Sequence, residues 1–312
     1  MSRLRSAWWW VFLIVPAFEL LGHAWIVARV PEDADYAAAA EFVRRHVVPR
    51  DLISSAPAFI DPIVRRHAGD RMTAAMVGRS DNAAFERMWV ISARGALPPD
   101  VPQADPELER KFGRLRVLRY ALGKSPILLD LVQSLASAEV TIQRNGTAQR
   151  CSRRTGGVPR GGGLGRPVLM PIPERFECDP DHPWLFVGSI VMEDLDNLPR
   201  YCVWQHPQGR DPISVRFSDV PLGDELVLYG GVYYEHERMR EGGPIQVDVL
   251  IDGQRRGGML HRDGEGFRRV VVPSGSGTQR GEIRIDVHAE NPDRRSFCWA
   301  ASTRRAAAKA GP

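Results

Sequence analysis

From Leu185 to Ala301 apolar residues tend to recur at alternate positions, in short runs broken by Gly, Pro, Asp and Asn; Ile245-Gln-Val-Asp-Val249 is one example. A strand sends successive side chains to opposite faces, so this alternation specifies half-buried strands, and frequent turn residues specify antiparallel neighbours. The runs are Leu185–Met192, Tyr201–Gln205, Ile213–Phe217, Glu225–Tyr234, Ile245–Ile251, Gly258–His261, Arg268–Val272, Glu282–His288 and Ser296–Ala301. Asp252-Gly253 and Asp263-Gly264 carry a dipeptide favoured by hairpin turns. The pattern predicts an all-β, antiparallel β-sandwich of jelly-roll-like kind over residues 168–303.

Upstream the period changes. Helices are expected over Tyr36–Val48, Phe59–His67, Pro106–Phe112 and Pro126–Ala136, and strands over Leu52–Ser55, Met88–Ile91, Leu115–Leu122 and Val140–Gln143. Such alternation implies a small α/β sandwich with a mainly parallel sheet over residues 31–148. Between the modules, residues 149–167 hold Arg150, Arg153, Arg154, Arg160 and Arg166, no acid, and the run Gly161-Gly-Gly-Leu-Gly165. No strand leads into those glycines and no helix follows, so the phosphate-binding fingerprint fails on context and the stretch reads as a linker. Gly123-Lys124-Ser125 fails as a P-loop because Leu118 stands where the first glycine belongs.

The chain has 42 basic and 38 acidic residues. Ten of the basic ones lie in the linker, at the start (Arg3, Arg5) and in the 304–312 tail (Arg304, Arg305, Lys309), leaving 32 against 38 elsewhere. The folded parts are thus mildly acidic, which argues against a nucleic-acid partner.

Residues 7–30 form an apolar stretch, interrupted by Glu19 and His23, with Arg3 and Arg5 before it and Glu32, Asp33 and Asp35 after it. Its length suits a bilayer core, and the positive-inside rule would leave the bulk outside the cytoplasm. The expectation is a single-pass inner-membrane anchor, with the bulk facing the periplasm or exterior and the membrane as a partner. The alternative is a cleaved signal, with Gly22-His23-Ala24 as the cleavage site and a secreted product. In either case Cys151, Cys178, Cys202 and Cys298 would meet an oxidising compartment, where disulfides are the default. Of three possible pairings we favour Cys202–Cys298 with Cys151–Cys178. No zinc spacing is present, and neither a metal nor a cofactor is expected.

Phe42-Val-Arg-Arg-His-Val-Val-Pro-Arg-Asp51, Ser55-Ala-Pro-Ala-Phe-Ile-Asp-Pro-Ile-Val-Arg65, Gly69-Asp70, Arg79-Ser-Asp81 and Phe85-Glu-Arg-Met-Trp-Val-Ile91 share a pattern. It resembles the soluble extracytoplasmic tail segment of polytopic lipid-linked-sugar glycosyltransferases, particularly myxobacterial-type relatives, across roughly residues 36–145. A jelly-roll or galactose-binding-like sandwich would follow it. The resemblance implies association with envelope glycosylation. It carries over no catalytic residue, because the catalytic loop of that superfamily lies between membrane helices that this chain lacks.

In the β region Cys178, Trp184, Arg200, Cys202, Trp204, His206 and Pro207 form a dense run of unusual residues. Aromatic faces suit sugar C–H surfaces, and Arg or His can bond hydroxyls. Trp299, Tyr233, Tyr234, His236, His206 and Arg200 are therefore the candidate ligand-binding residues. Period two puts Trp204 on the face of Cys202 and turns Trp299 away from Cys298, and one of Tyr233 and Tyr234 should face outward. The expected role is a non-catalytic, membrane-anchored, exported accessory or carbohydrate-associated binding protein of the cell envelope. Polysaccharide, glycolipid, a membrane glycosyltransferase or another envelope protein would be its partner. Alternatives are a structural subunit of a glycosyltransferase-type complex, or an exported hydrolase using Glu235, His236 or Glu237.

Overall fold

The computed structural model describes residues 4–156, 174–275 and 279–306, which form two compact units. Parts of the expected linker (157–167) and tail (307–312) lie outside the described residues, as does Arg3.

The first unit comprises residues 1–72 and 85–123. It begins with α1 (Leu4–Val27). Among the described residues no helix is long and apolar enough to cross a membrane. Pro16, Glu19, Gly22 and His23 all fall within α1, and the indoles of Trp8–Trp10 prefer an interface to hydrocarbon. The expected anchor over residues 7–30 is overturned, and with it the single-pass topology, the inner-membrane address, the periplasmic placement and the membrane partner.

After α1 come α2 (Asp33–His46), β1 (Asp51–Ala56), α3 (Asp61–Ala68), β2 (Arg87–Ala93), β3 (Leu108–Phe112) and β4 (Leu115–Ala121). Glu32 and Asp35 form a reciprocal capping box that starts α2, leaving Tyr36, Ala39, Ala40 and Val43 on its buried side. The sheet order is β1-β2-β4-β3. Only β1 and β2 run parallel, so the expected mainly parallel sheet is corrected to a mixed one. Pro106–Phe112 is largely strand rather than helix. Gly113, at φ 52°, turns the chain tightly from β3 into β4, and a Cβ there would strike the Asp35 carboxylate. At the heart of this unit the buried Asp51 carboxylate takes two bonds from Arg87 (2.8 and 2.7 Å) and one from Trp89 Nε1 (2.8 Å).

The second unit comprises residues 73–84 and 124–312. It holds α4 (Ala74–Val77), β5 (Ile127–Asp130), β6 (Glu139–Arg144), β7 (Thr147–Arg150), β8 (Ser152–Thr155), β9 (Glu174–Glu177) and β10 (Phe186–Glu193). There follow β11 (Pro199–Gln205), β12 (Ile213–Pro221), β13 (Glu225–Val232), α5 (Tyr234–Met239), β14 (Ile245–Ile251) and β15 (Gln254–His261). β16 (Arg268–Pro273), β17 (Arg280–Ala289) and β18 (Phe297–Arg304) complete it.

One sheet runs β16-β13-β18-β11-β10-β9-β8 with β5 on β18; the other runs β15-β14-β17-β12-β6-β7. Among the described residues all their pairings are antiparallel, and alternate residues of both sheets fill one core that includes Val203, Val215, Phe217, Val247, Ile285 and Trp299. Pro126–Ala136 is not a helix. Its first half pairs with β18, and the Asp130 carboxylate then caps the amides of Val132 and Gln133 in a turn. Strand β6 pairs with β12, so residues 127–144 build the sandwich. Tyr234–Met239 departs from the strand expected over 225–234 by forming α5.

The sheet that holds β10, β11 and β18 carries a second apolar cluster on its outer face: Phe186, Ile190, Met192, Cys202, Trp204, Tyr233 and Cys298. The Cys202–Cys298 disulfide lies in it, joining β11 to β18. A second disulfide links Cys151 to Cys178.

Candidate functional site

The site is built on the loop between β9 and β10, Cys178-Asp-Pro-Asp-His-Pro-Trp-Leu185. Its two ends are joined, since the Cys178 amide donates to Leu185 O (3.0 Å), and the Leu185 amide donates to His182 O (2.8 Å). The Cys151 disulfide staples its base. Inside the loop the Asp179 carboxylate accepts from the Asp181 amide (2.9 Å), from His182 Nδ1 (2.8 Å) and from Arg144. Burial raises the Asp179 pKa, but the His182, Asp181 and Arg144 bonds outweigh it and hold the carboxyl below its ordinary value. Pro180 and Pro183 restrict φ at two further positions.

This frame presents Trp184. Its indole meets the His182 ring edge-on at 5.0 Å, while its carbonyl accepts from Trp204 Nε1 (3.1 Å). Trp204 in turn stacks on Phe186 at 5.6 Å, which ties the loop to the outer-face cluster. Trp184 is 50% exposed, and it is the one aromatic in the exposed class among the described residues of this unit.

The six residues singled out in the sequence lie elsewhere. Trp299 is 0% exposed in the core between the sheets, where its Nε1 donates to Gln205 Oε1 (2.7 Å). It does point away from Cys298, but the disulfide is on the outer face, so the opposite direction is inward. Arg200 donates to Asp194 (2.6 Å) and to Arg79 O (3.3 Å), and its guanidinium lies 5.2 Å from the Phe267 ring. These bonds engage it in holding the 73–84 segment. Tyr233 is buried in the outer-face cluster, packed edge-on against Tyr234 (4.8 Å) and His236 (5.8 Å). Burial is the first cause of its raised pKa, followed by a side-chain bond with Tyr234. Tyr234 is partly exposed and donates to Glu235 (3.2 Å).

His206 is buried, lies 6.1 Å from Trp204, and donates from Nδ1 to Pro207 O (2.8 Å). Burial pushes its pKa down to about 4, so the ring is neutral at pH 7. Burial likewise lowers His236, whose Nδ1 has no hydrogen-bond partner. The structure thus gathers Tyr233, Tyr234 and His236 in one neighbourhood, places His206 within electrostatic reach of His236, and separates off Trp299. Trp184 and His182 were not among those six. Their signal was the Asp179-Pro-Asp-His-Pro-Trp184 string, whose two prolines and turn formers after a cysteine describe a rigid loop.

Of the three hydrolase candidates Glu237 is sealed, whereas Glu235 and His236 are partly exposed. Glu237 Oε1 accepts from the Gly266 amide (2.7 Å) and lies 3.4 Å from His261 Nε2, and both side chains are 0% exposed. A substrate cannot reach them.

No family model and no curated protein matches the chain. Some solved structures share a degree of similarity. The CBM51-2 and INT domains of Clostridium perfringens ZmpB, in complex with GlcNAc, are 16% identical over 38% of this chain and 25% of that one, with a TM-score of 0.30. The tandem CBM51 modules of Sp3GH98 from Streptococcus pneumoniae are 10% identical over 63% and 57%, with a TM-score of 0.32. CBM51 of a C. perfringens GH95 protein, in complex with methyl-galactose, is 13% identical over 49% and 90%, with a TM-score of 0.26. The chain spans about 25%, 37% and 17% of three such structures from ZmpB. Similarities at this level assign nothing to the chain. The glycosyltransferase-tail resemblance is withdrawn: no family model matches, no helix among the described residues is long and apolar enough to cross a membrane, and residues 127–144 belong to the sandwich.

Proposed function

We propose that the sandwich is a carbohydrate-binding module whose ligand stacks on Trp184. The observation that carries this reading is a half-exposed indole on a loop closed by backbone bonds, a buried Asp179 and a disulfide. A pyranose has one C–H-rich face, which an indole matches, and a preformed loop binds without an ordering cost. The two disulfides suit a chain folded in an oxidising compartment, where extracellular glycans occur. No membrane anchor enters the proposal.

Affinity electrophoresis of the full chain through gels containing soluble polysaccharides tests it. Retardation by at least one polymer is expected, with Trp184→Ala weakening it about tenfold, the worth of an aromatic contact of roughly 1.5 kcal/mol. Unchanged retardation of a folded Trp184→Ala variant would overturn the reading.

A further inference from the structure

Resting on the carbohydrate reading of the Trp184 loop, we infer that His182 determines specificity there, accepting a ligand hydroxyl at Nε2, and that the site takes neutral glycans in preference to uronate-bearing or sulfated ones. The geometry begins with Asp179. Its Oδ2 lies 2.8 Å from His182 Nδ1, and an ionised carboxylate can only accept, so Nδ1 carries the proton of that bond. In the neutral imidazole Nε2 is then an acceptor. Among the described residues this second nitrogen has no hydrogen-bond partner, and the His182 side chain is half exposed.

The His182 ring stands edge-on to Trp184 at 5.0 Å. A pyranose laid on the indole would therefore bring its rim hydroxyls alongside the imidazole. Asp181, exposed on the same loop, adds a carboxylate, while one neighbouring cation, Arg144, spends one of its nitrogens on Asp179. The loop thus offers acceptors to its ligand. Hydroxyls can donate to them, whereas carboxylates and sulfates cannot and are repelled by Asp181.

The experiment compares the full-length chain with Trp184→Ala, His182→Phe and Asp181→Asn on soluble β-glucan, xylan and galactan, and on polygalacturonate and chondroitin sulfate. Wild type should bind a neutral polymer at least tenfold more tightly than either anionic one. His182→Phe, which keeps a ring beside Trp184, should lose about tenfold on the neutral polymer. Asp181→Asn should narrow the gap between neutral and anionic polymers. In wild-type protein the 15N shift of His182 Nε2 should move upfield on adding an oligosaccharide of the best-bound neutral polymer, a signature that a merely structural role would not produce. Anionic polymers bound equally well, or an unmoved Nε2 together with an unaffected His182→Phe variant, would overturn the inference while leaving the Trp184 reading intact. Retention by no polymer, or retention indifferent to Trp184→Ala, would overturn that reading itself.

Discussion

His206 lies in the second unit beneath Trp204, and its burial gives the sandwich a pH dependence that a surface histidine would not. An unfolded chain binds a proton at His206 near pH 6.5, whereas the folded chain resists protonation until about pH 4. Across that window the unfolded state carries more protons, so stability rises with pH; it is complete above 6.5 and falls as pH drops toward 4. The shift corresponds to roughly 3 kcal/mol at its full extent. Urea denaturation at pH 7 and pH 4.5 should show this loss, and His206→Gln should flatten the slope. An unaltered slope in that variant would place the pH dependence elsewhere.

Trp299 shows how much one residue can be misplaced by a correct local rule. Its direction relative to Cys298 follows from the strand period, but which face of the strand is the inside depends on the second sheet. Trp299→Phe, which keeps a ring but loses volume and leaves Gln205 Oε1 without its donor, should cost about 1–3 kcal/mol in denaturant melts while leaving glycan retention intact.

At the scale of elements, the loop before β10 and the 73–84 segment are each held by a few strong links. The Cys151–Cys178 bridge closes a separation of 27 residues, and its removal should lower stability by about 3 kcal/mol on loop-entropy grounds. Because that bridge also anchors the Trp184 loop, a Cys151→Ala, Cys178→Ala double variant should weaken glycan retention more than Trp299→Phe does. Equal retention would show that the backbone bonds alone suffice.

The 73–84 segment is fastened by Asp81, whose carboxylate accepts from Tyr229 OH (2.7 Å) and pairs with Arg304 (2.8 Å). Burial raises the Asp81 pKa, but Arg304 and Tyr229 outweigh it and keep it below the ordinary value. The same partnership, with burial leading, pushes Tyr229 up to about 12. Asp81→Ala would strand a mostly buried guanidinium, and about 2 kcal/mol of destabilisation is expected. The depressed carboxyl stabilises the fold above its unfolded pKa, so this cost should shrink as pH falls through the carboxylate range.

The whole molecule contains two units with their own sheets and cores. Trp89 fills the centre of the first, fully buried and bonded to Asp51. Trp89→Ala should cost that unit about 3–5 kcal/mol, while the glycan retention proposed for the second should persist. Loss of both together would mean that the units fold as one.

What the sequence determined by itself is what repeats locally. Period two marked strands in much of the second half and helical spacing found α2 and α3, whereas Arg150, Arg153, Arg154 and Arg304, set aside as linker and tail, lie in strands β7, β8 and β18. The tertiary structure alone decided which partner each strand took and which face became the inside. Residues 127–130 read as helix yet pair with a strand some 170 positions later, because ladder bonds to β18 outweigh a weak local preference. The apolar N-terminal segment had suggested an anchor by its length, yet among the described residues no helix is long and apolar enough to cross a membrane. Trp184 and Trp299 are both tryptophans in the β region; the prolines beside Trp184 mark a loop, but they do not say that its indole is solvated while that of Trp299 is sealed. That difference comes from the second sheet covering β18 while the described residues leave the Trp184 indole half exposed, and burial of this kind is a property of the assembled molecule.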